Sequence, residues 1–237
     1  MTTSVLAVVA HPDDESFGLG ALLSEASGAG SRAGVLCLTH GEASTLHGLD
    51  GDLRTIREGE LRAAAKRLGL CWVRLLDHHD GSLTEHPRRL VDDVADAVTA
   101  FSPDVLLVFD PSGITGHPDH QAATRAAVTV GRQRGIPVVA WTLPQDVTDT
   151  LTAEGITGFV GVPDAASTLT VTVDRTAQLD AVREHASQAV PGSPLWRRLE
   201  LLGDHEHLRY VHSTGPVRLP FRHLGAPARR EALSHDR

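Results

Sequence analysis

VVAHPDDESFGLG, residues 8 to 20, is an apolar run that passes without a break into His11, Pro12, Asp13, Asp14 and Glu15. From Ser4 to Ala10 the chain is continuously apolar, the pattern of a strand covered on both faces in a parallel sheet. Leu19 to Ala26 reads as a helix, so the chain opens on a βα unit whose connecting loop is packed with imidazole and carboxylate groups. That combination makes a metal site the first hypothesis for the loop.

The same grammar recurs downstream. Val35 to Thr39 reads as a second strand that empties into a polar loop, His40 to Asp52, and Trp72 to Leu76 as a third that ends in Asp77-His78-His79-Asp80-Gly81. Asp104 to Phe109 is a fourth strand, followed by Gly116-His117-Pro118-Asp119-His120, and Val138 to Trp141 a fifth. Helices are expected from about Asp52 to Leu68, from Pro87 to Phe101, and from the GHPDH stretch to about Arg134, where Gly135 and Pro137 stop the pattern. Strands alternating with helices imply an α/β domain, a Rossmann-like three-layer sandwich with a mostly parallel central sheet. Further on, 159–162 and 168–173 read as strands, 175–189 and 195–202 as helices, and 208–211 as an edge strand. We expect one domain over residues 1–212; residues 213–237, rich in Pro and Arg, form either a lid or a disordered tail.

Composition narrows the function. With 22 basic against 30 acidic residues and a net charge of −8, the chain lacks the clustered positive charge that nucleic acid or an anionic membrane requires. No run reaches the length of a membrane span and the N-terminus does not read as a signal peptide, so a cytoplasmic location is expected. Cys37 and Cys71 lie in or beside apolar segments without CxxC spacing and are expected to be buried thiols. The expected partner is a small molecule, and the sequence is also compatible with a homo-oligomer.

In an open parallel sheet, ligands bind beyond the carboxyl ends of the strands where strand order reverses. With the order 3-2-1-4-5, strand four lies beside strand one and the GHPDH loop faces the HPDDE loop. His11, Asp13, Asp14, His117, Asp119 and His120 then converge. Three imidazole or carboxylate ligands with a fourth position for water is the arrangement of a catalytic zinc, and neither motif contains the cysteines of a closed structural site. His117 falls at the mouth of a helix, where the dipole favours developing negative charge. The competing reading has these groups satisfying one another as polar loop residues; two such loops at the ends of neighbouring strands weigh against it. On the helix 52–68, Arg57 and Glu60 fall within the apolar arc, either lining a pocket or pairing with each other at i,i+3.

Ala10-His11-Pro12-Asp13-Asp14-Glu15 and Gly116-His117-Pro118-Asp119-His120 resemble the two motifs of the PIG-L or LmbE-like family of zinc-dependent N-acetylglucosaminyl deacetylases. The resemblance implies a metal-dependent hydrolase that removes acetyl from an N-acetylglucosamine-like amine by zinc-activated water, with Fe2+ an alternative metal. It implies that His11, Asp14 and His120 bind the metal, that Asp13 is the general base, and that His117, oriented by Asp119, stabilises the tetrahedral intermediate or protonates the leaving amine. Spacing alone allows either order for the two aspartates. Weaker matches at Thr39-His40-Gly41-Glu42, Arg57, Glu60, Asp80-Gly81 and His185 to Gln188 place Glu42, Arg57 and Asp80 toward the substrate. Where some members carry a tyrosine two residues before the second motif's first histidine, this chain has Thr115. The alternatives are an amidase for a larger conjugate, such as a thiol adduct or antibiotic intermediate, and a zinc-binding or sensing protein without turnover.

Overall fold

The computed structural model describes residues 3–46, 50–163 and 169–225. β1 (Ser4–Val9) is buried along its whole length. Val5, Ala7 and Val9 turn into one apolar cluster, Leu6 and Val8 into a second. Side chains alternate between the faces of a strand, so an unbroken apolar run is stable only where both faces are covered. The cover on the first face comes from α2 (Gly20–Gly28), which follows the short α1 (Asp14–Phe17).

Next come β2 (Arg32–Thr39), α3 (Leu53–Arg67), β3 (Trp72–His78), α4 (Pro87–Phe101), β4 (Val105–Phe109), the short α5 (Gly113–Gly116), α6 (Pro118–Arg134) and β5 (Val138–Pro144). α3 begins where Asp52 accepts the backbone N–H groups of Arg54 and Thr55, and α6 ends at Gly135 in the left-handed conformation. The rest is α7 (Gln145–Ala153), β6 (Gly161–Val162), β7 (Leu169–Thr172), α8 (Thr176–Glu184), α9 (Pro194–Leu202), β8 (His205–His212) and β9 (Leu224–Gly225). Leu61 and Ala64 of α3 and Ala181 of α8 join α2 on the first face. Leu90, Val94 and Phe101 of α4, with Ala123, Ala127 and Val130 of α6, cover the second. Fully buried Leu6, Leu22, Leu36 and Leu61 each contribute roughly 1.5–3 kcal/mol to this three-layer arrangement.

The sheet runs β3-β2-β1-β4-β5-β8-β7-β9, with β6 also on β5. Its first five strands are parallel in the expected order 3-2-1-4-5, and β1 lies between β2 and β4, where that order reverses. β8 then runs antiparallel between β5 and β7. It is therefore an interior strand, not the edge strand expected from its short apolar run; its Glu206 and Leu208 are fully buried.

Other expectations also need correction. Cys37 is buried, but Cys71 is exposed, because it lies in the turn before β3. β3 continues through His78, which is buried and lies 2.7 Å from Asp93 of α4, whereas only His79 is a solvated loop residue. The strand expected over 159–162 is reduced to Gly161 and Val162, and the helix expected over 175–189 stops at Glu184, where His185 turns inward. Of the Pro- and Arg-rich tail, residues 213–225 pack through Leu219 and Phe221 and add β9 to β7. Residues 226–237, the middle of the 40–52 loop at 47–49, and Thr168 lie outside the described residues.

Candidate metal centre and active site

Four strand ends supply the site. β1 delivers His11, Asp13 and Asp14; β2 delivers Gly41 and Glu42; the turn after β3 carries Asp80; and the segment after β4 returns through α5 to His117, Asp119 and His120. The His11, His117 and His120 rings gather with centroids 4.8 to 5.2 Å apart. Every residue expected in the site is therefore near it, including Arg57 and Glu42.

His11, Asp14 and His120 each offer a ligand atom within 4.8 Å of the others, and so do His11, His117 and Asp119. Hydrogen bonding separates the two sets. His120 Nδ1 lies 3.0 Å from Gly113 O, which can only accept, so Nδ1 carries a proton, and Nε2, 3.2 Å from Asp14 Oδ1, is the nitrogen that a metal ion would take in exchange for that contact. His117 is the reverse. Its Nδ1 accepts the Asp119 backbone N–H at 3.2 Å, which places the ring proton on Nε2. His120 thus keeps Nε2 for a further partner and His117 presents Nε2–H, which favours the first set over the second.

The first set fits a cation on other grounds too. His11 Nε2 is buried, 3.0 Å from Asp80 Oδ1 and 3.5 Å from Asp119 Oδ2, yet it makes no directed hydrogen bond to either. Burial alone would lower the pKa of His11, but Asp119, Asp80 and Asp14 push it up to about 10. For His120 burial also acts downward and is outweighed by the charge and hydrogen bond of Asp14. Asp14 is held well below the usual carboxylate range because His120 and His11 overcome the effect of burial, and its Oδ2 accepts the N–H groups of Ala10 and His11. The pocket demands positive charge, and a divalent ion can supply it.

Asp13 is set apart. Its Oδ2 accepts Arg57 Nη2 at 2.9 Å, and 17% of its side chain is exposed against 3% for Arg57, so water reaches the carboxylate and not the guanidinium. Burial pushes its pKa up to about 6, with the Arg57 charge opposing. Its φ of 132° is one that L residues rarely adopt, a strain of the order of 1–3 kcal/mol of the kind that persists at functional sites. Arg57 also donates to Gly41 O at 2.6 Å and to Pro12 O. Glu60 instead takes the backbone N–H and hydroxyl of Ser187, at 2.8 and 2.6 Å. The i,i+3 pairing is thus replaced by two separate tethers.

His117 caps α6 and its pKa is lowered, chiefly by burial and then by the neighbouring His11 and His120, which favours a neutral donor. The Asp119 carboxylate accepts Gly81 N–H at 2.8 Å and Leu83 N–H at 3.1 Å rather than a proton from His117. It is the Asp119 backbone, not its side chain, that orients His117. Asp80 packs on His11 and accepts Ala43 N–H, while Glu42 Oε1 sits 3.3 Å from both Asp80 N and Arg54 Nη1 at the rim. Thr115 is exposed.

Sequence reasoning singled out Glu15 and the stretch His185 to Gln188 but not what they pair with. Glu15 is joined to His185 at 2.7 Å, both fully buried, and Ser44 Oγ donates to Gln188 at 2.7 Å. The placement of Glu60 on an apolar arc was the one local sign that a polar partner from a distant segment was required.

Residues 6–130 match the family model PIG-L, described as GlcNAc-PI de-N-acetylase. The chain is 30% identical over 248 residues to a 1D-myo-inositol 2-acetamido-2-deoxy-alpha-D-glucopyranoside deacetylase of Acidothermus cellulolyticus, covering 83% of each chain. It is 32% identical over 197 residues to the Mycolicibacterium gilvum protein of the same name, covering 71% of this chain and 68% of the relative. In fold it is similar to the antimicrobial reagent A40926 pseudoaglycone deacetylase Dbv21, with a TM-score of 0.72 over 89% of this chain and 97% of the other at 24% identity.

Proposed function

Because the chain belongs to the PIG-L family and is a hydrolase that deacetylates acyl amines, we propose that it releases acetate from the 2-acetamido group of an N-acetylglucosaminyl conjugate. We further propose zinc as its metal. Two imidazoles and one carboxylate form the donor set of a catalytic zinc, and Fe2+ also tolerates it. His11, Asp14 and His120 would hold the ion, which when bound supplies Lewis acidity that polarises an amide carbonyl and acidifies water.

The chain's own groups divide the remaining work. Asp13, partly open to solvent, accepts the proton of the attacking water. The Nε2–H of His117 donates to the oxygen that becomes negative as the carbonyl turns tetrahedral. The carbon–nitrogen bond then breaks, the amine takes a proton from this acid–base pair, and acetate remains. Arg57 holds Asp13 in place, and Asp80 and Glu42 line the side from which sugar hydroxyls approach. The observation that carries this reading is the opposite use of Nδ1 in the two histidines three residues apart: in His120 it donates to Gly113 O and leaves Nε2 beside Asp14 for a metal, and in His117 it accepts Asp119 N–H and leaves Nε2–H to donate.

The relatives act, by name, on 2-acetamido-2-deoxy-glucopyranosides of inositol, so that substrate class comes first. Neither an amidase for larger conjugates nor a protein without turnover is favoured by these relatives. Amine and acetate release should be measured on N-acetylglucosaminyl-inositol, N-acetylglucosamine and a non-sugar acetamide, with zinc-loaded, iron-loaded and chelated protein. Turnover of the inositol conjugate by metal-loaded protein alone is expected. No release from either sugar with either metal would sink the proposal.

A further inference from the structure

Resting on the assignment of Asp13 as base, we propose that Glu15 and His185 are positioning residues that aim it. Three bonds hold the Asp13 backbone in its unusual φ of 132°. Its carbonyl accepts Ser16 N–H at 2.9 Å and Phe17 N–H at 2.7 Å, both local contacts of α1. Its own N–H goes to Glu15 Oε2 at 2.9 Å, and that contact depends on what fixes Glu15.

Glu15 is fully buried, and its other oxygen accepts the Ser16 hydroxyl at 2.6 Å and His185 Nε2 at 2.7 Å. His185 comes from the far end of the chain, at the C-cap of α8; it is fully buried, edge-on to Phe17, and its Nδ1 has no partner. A buried ion pair is seldom retained for stability, because well-packed apolar groups of similar volume serve as well or better; fixing one conformation is the attested alternative use. The geometry has that form. His185 fixes the Glu15 carboxylate, Glu15 captures the Asp13 N–H, and the strained backbone directs the Asp13 side chain to Arg57 and the open side of the pocket.

Neither residue touches the three atoms of the metal set, so loss of the pair should spare metal binding and weaken the base. For His185→Leu, kcat for the N-acetylglucosaminyl conjugate is expected to fall about 10- to 100-fold, with KM within about twofold and metal content unchanged. His185→Gln, whose amide can donate to Glu15 from nearly the same point, should recover most of that loss. In an Asp13→Asn background His185→Leu should cost less than about twofold, because a residue that acts through the base has nothing left to act on. A plain structural pair would instead multiply the two losses, and that result would overturn the proposal; so would unchanged kcat in the single variant.

If His185→Leu fails to fold, Glu15→Met carries the same cycle, since it approximates the length of the side chain and removes the acceptor of the Asp13 N–H. A crystal structure of the His185→Leu variant tests the claim without turnover. Asp13 should relax out of φ near 132°, and its retention with the N–H bond to residue 15 intact would refute the proposal. Displacement of Asp13 in the variant together with no acetate release by the unmodified chain would remove the deacetylase reading and leave the positioning intact.

Discussion

Gly41→Ala is the most incisive small change available, because it adds one methyl at the point where Arg57 is held. Gly41 sits at φ +63°, and a Cβ there would stand 2.2 Å from Arg57 Nη1 and 2.4 Å from Cζ. The left-handed backbone alone costs a non-glycine residue about 1–2 kcal/mol. The guanidinium cannot swing freely, since it is buried and donates to Gly41 O, Pro12 O and Asp13 Oδ2. Giving up even one of these charge-assisted bonds costs about 1.5–3 kcal/mol, so the total is about 3 kcal/mol or more. For a chain of this length that lowers Tm by roughly 6–12 °C. Displacement of Arg57 also releases Asp13, and a misplaced base should reduce kcat by about 100-fold. Gly59→Ala is the control: it lies in α3 with nothing within 4 Å of an added Cβ, and should stabilise by about 0.5–1 kcal/mol without changing turnover. Thermal unfolding and steady-state kinetics measured together read both effects. A Gly41→Ala protein with Tm within 1–2 °C and kcat within about twofold of the parent would refute the reasoning that Arg57 is rigidly held.

Asp13→Asn should keep one equivalent of metal while losing about 10²- to 10⁴-fold in turnover, the range for a general base; an active variant by acetate assay would remove that assignment. In His120→Ala the ion is expected to be lost, and stoichiometric zinc by elemental analysis would contradict the ligand set. Chelation should abolish activity and lower Tm, with both restored by a divalent ion, since a ligand bound only to the native state stabilises it by mass action. Trp141→Phe removes the 2.6 Å hydrogen bond to buried Glu206; urea unfolding should report a loss of about 1.5–3 kcal/mol, and an unchanged midpoint would show that Arg175 alone satisfies Glu206.

Much of the fold was legible because parallel strands buried on both faces announce themselves as unbroken apolar runs. β1, β2 and β4 were found that way, and the loops behind them carried the two HPD motifs. The reading weakened where polar side chains are buried by pairing. His78 looks like a loop residue until Asp93 is seen opposite it, and β8 carries His205, Glu206, His207 and Arg209 in a strand whose neighbours on both sides come from elsewhere in the chain. In the site, residue types and positions were legible but hydrogen-bond direction was not. The motif contains both His117 and His120, yet only the backbone of α5 and α6, through Gly113 O and Asp119 N–H, gives their Nδ1 atoms opposite roles. Glu15 and His185 are 170 positions apart, and no local pattern couples them.

The place of β8 has a consequence for how the chain acquires its structure. β5 pairs with β4 on one side and with residues 205–212 on the other. Until that late segment leaves the ribosome, the side of β5 that it covers from Val138 to Thr142 presents unpaired N–H and C=O groups beside the apolar Val139 and Trp141. Such an edge is a template for pairing with other chains. The last strand to be synthesised among these is therefore a seal, and its lateness sets a window in which nascent molecules are exposed to misassembly. Glu206 and Arg209 give the seal its fit: they engage Trp141 and Asp110 at 2.6 Å each, so a foreign strand lacking an acid and a cation at that spacing would leave the indole N–H and Asp110 Oδ2 without these partners. Selection against wrong partners at this edge is thus written in two buried polar groups, while closure of the edge waits on the order in which the polypeptide is made.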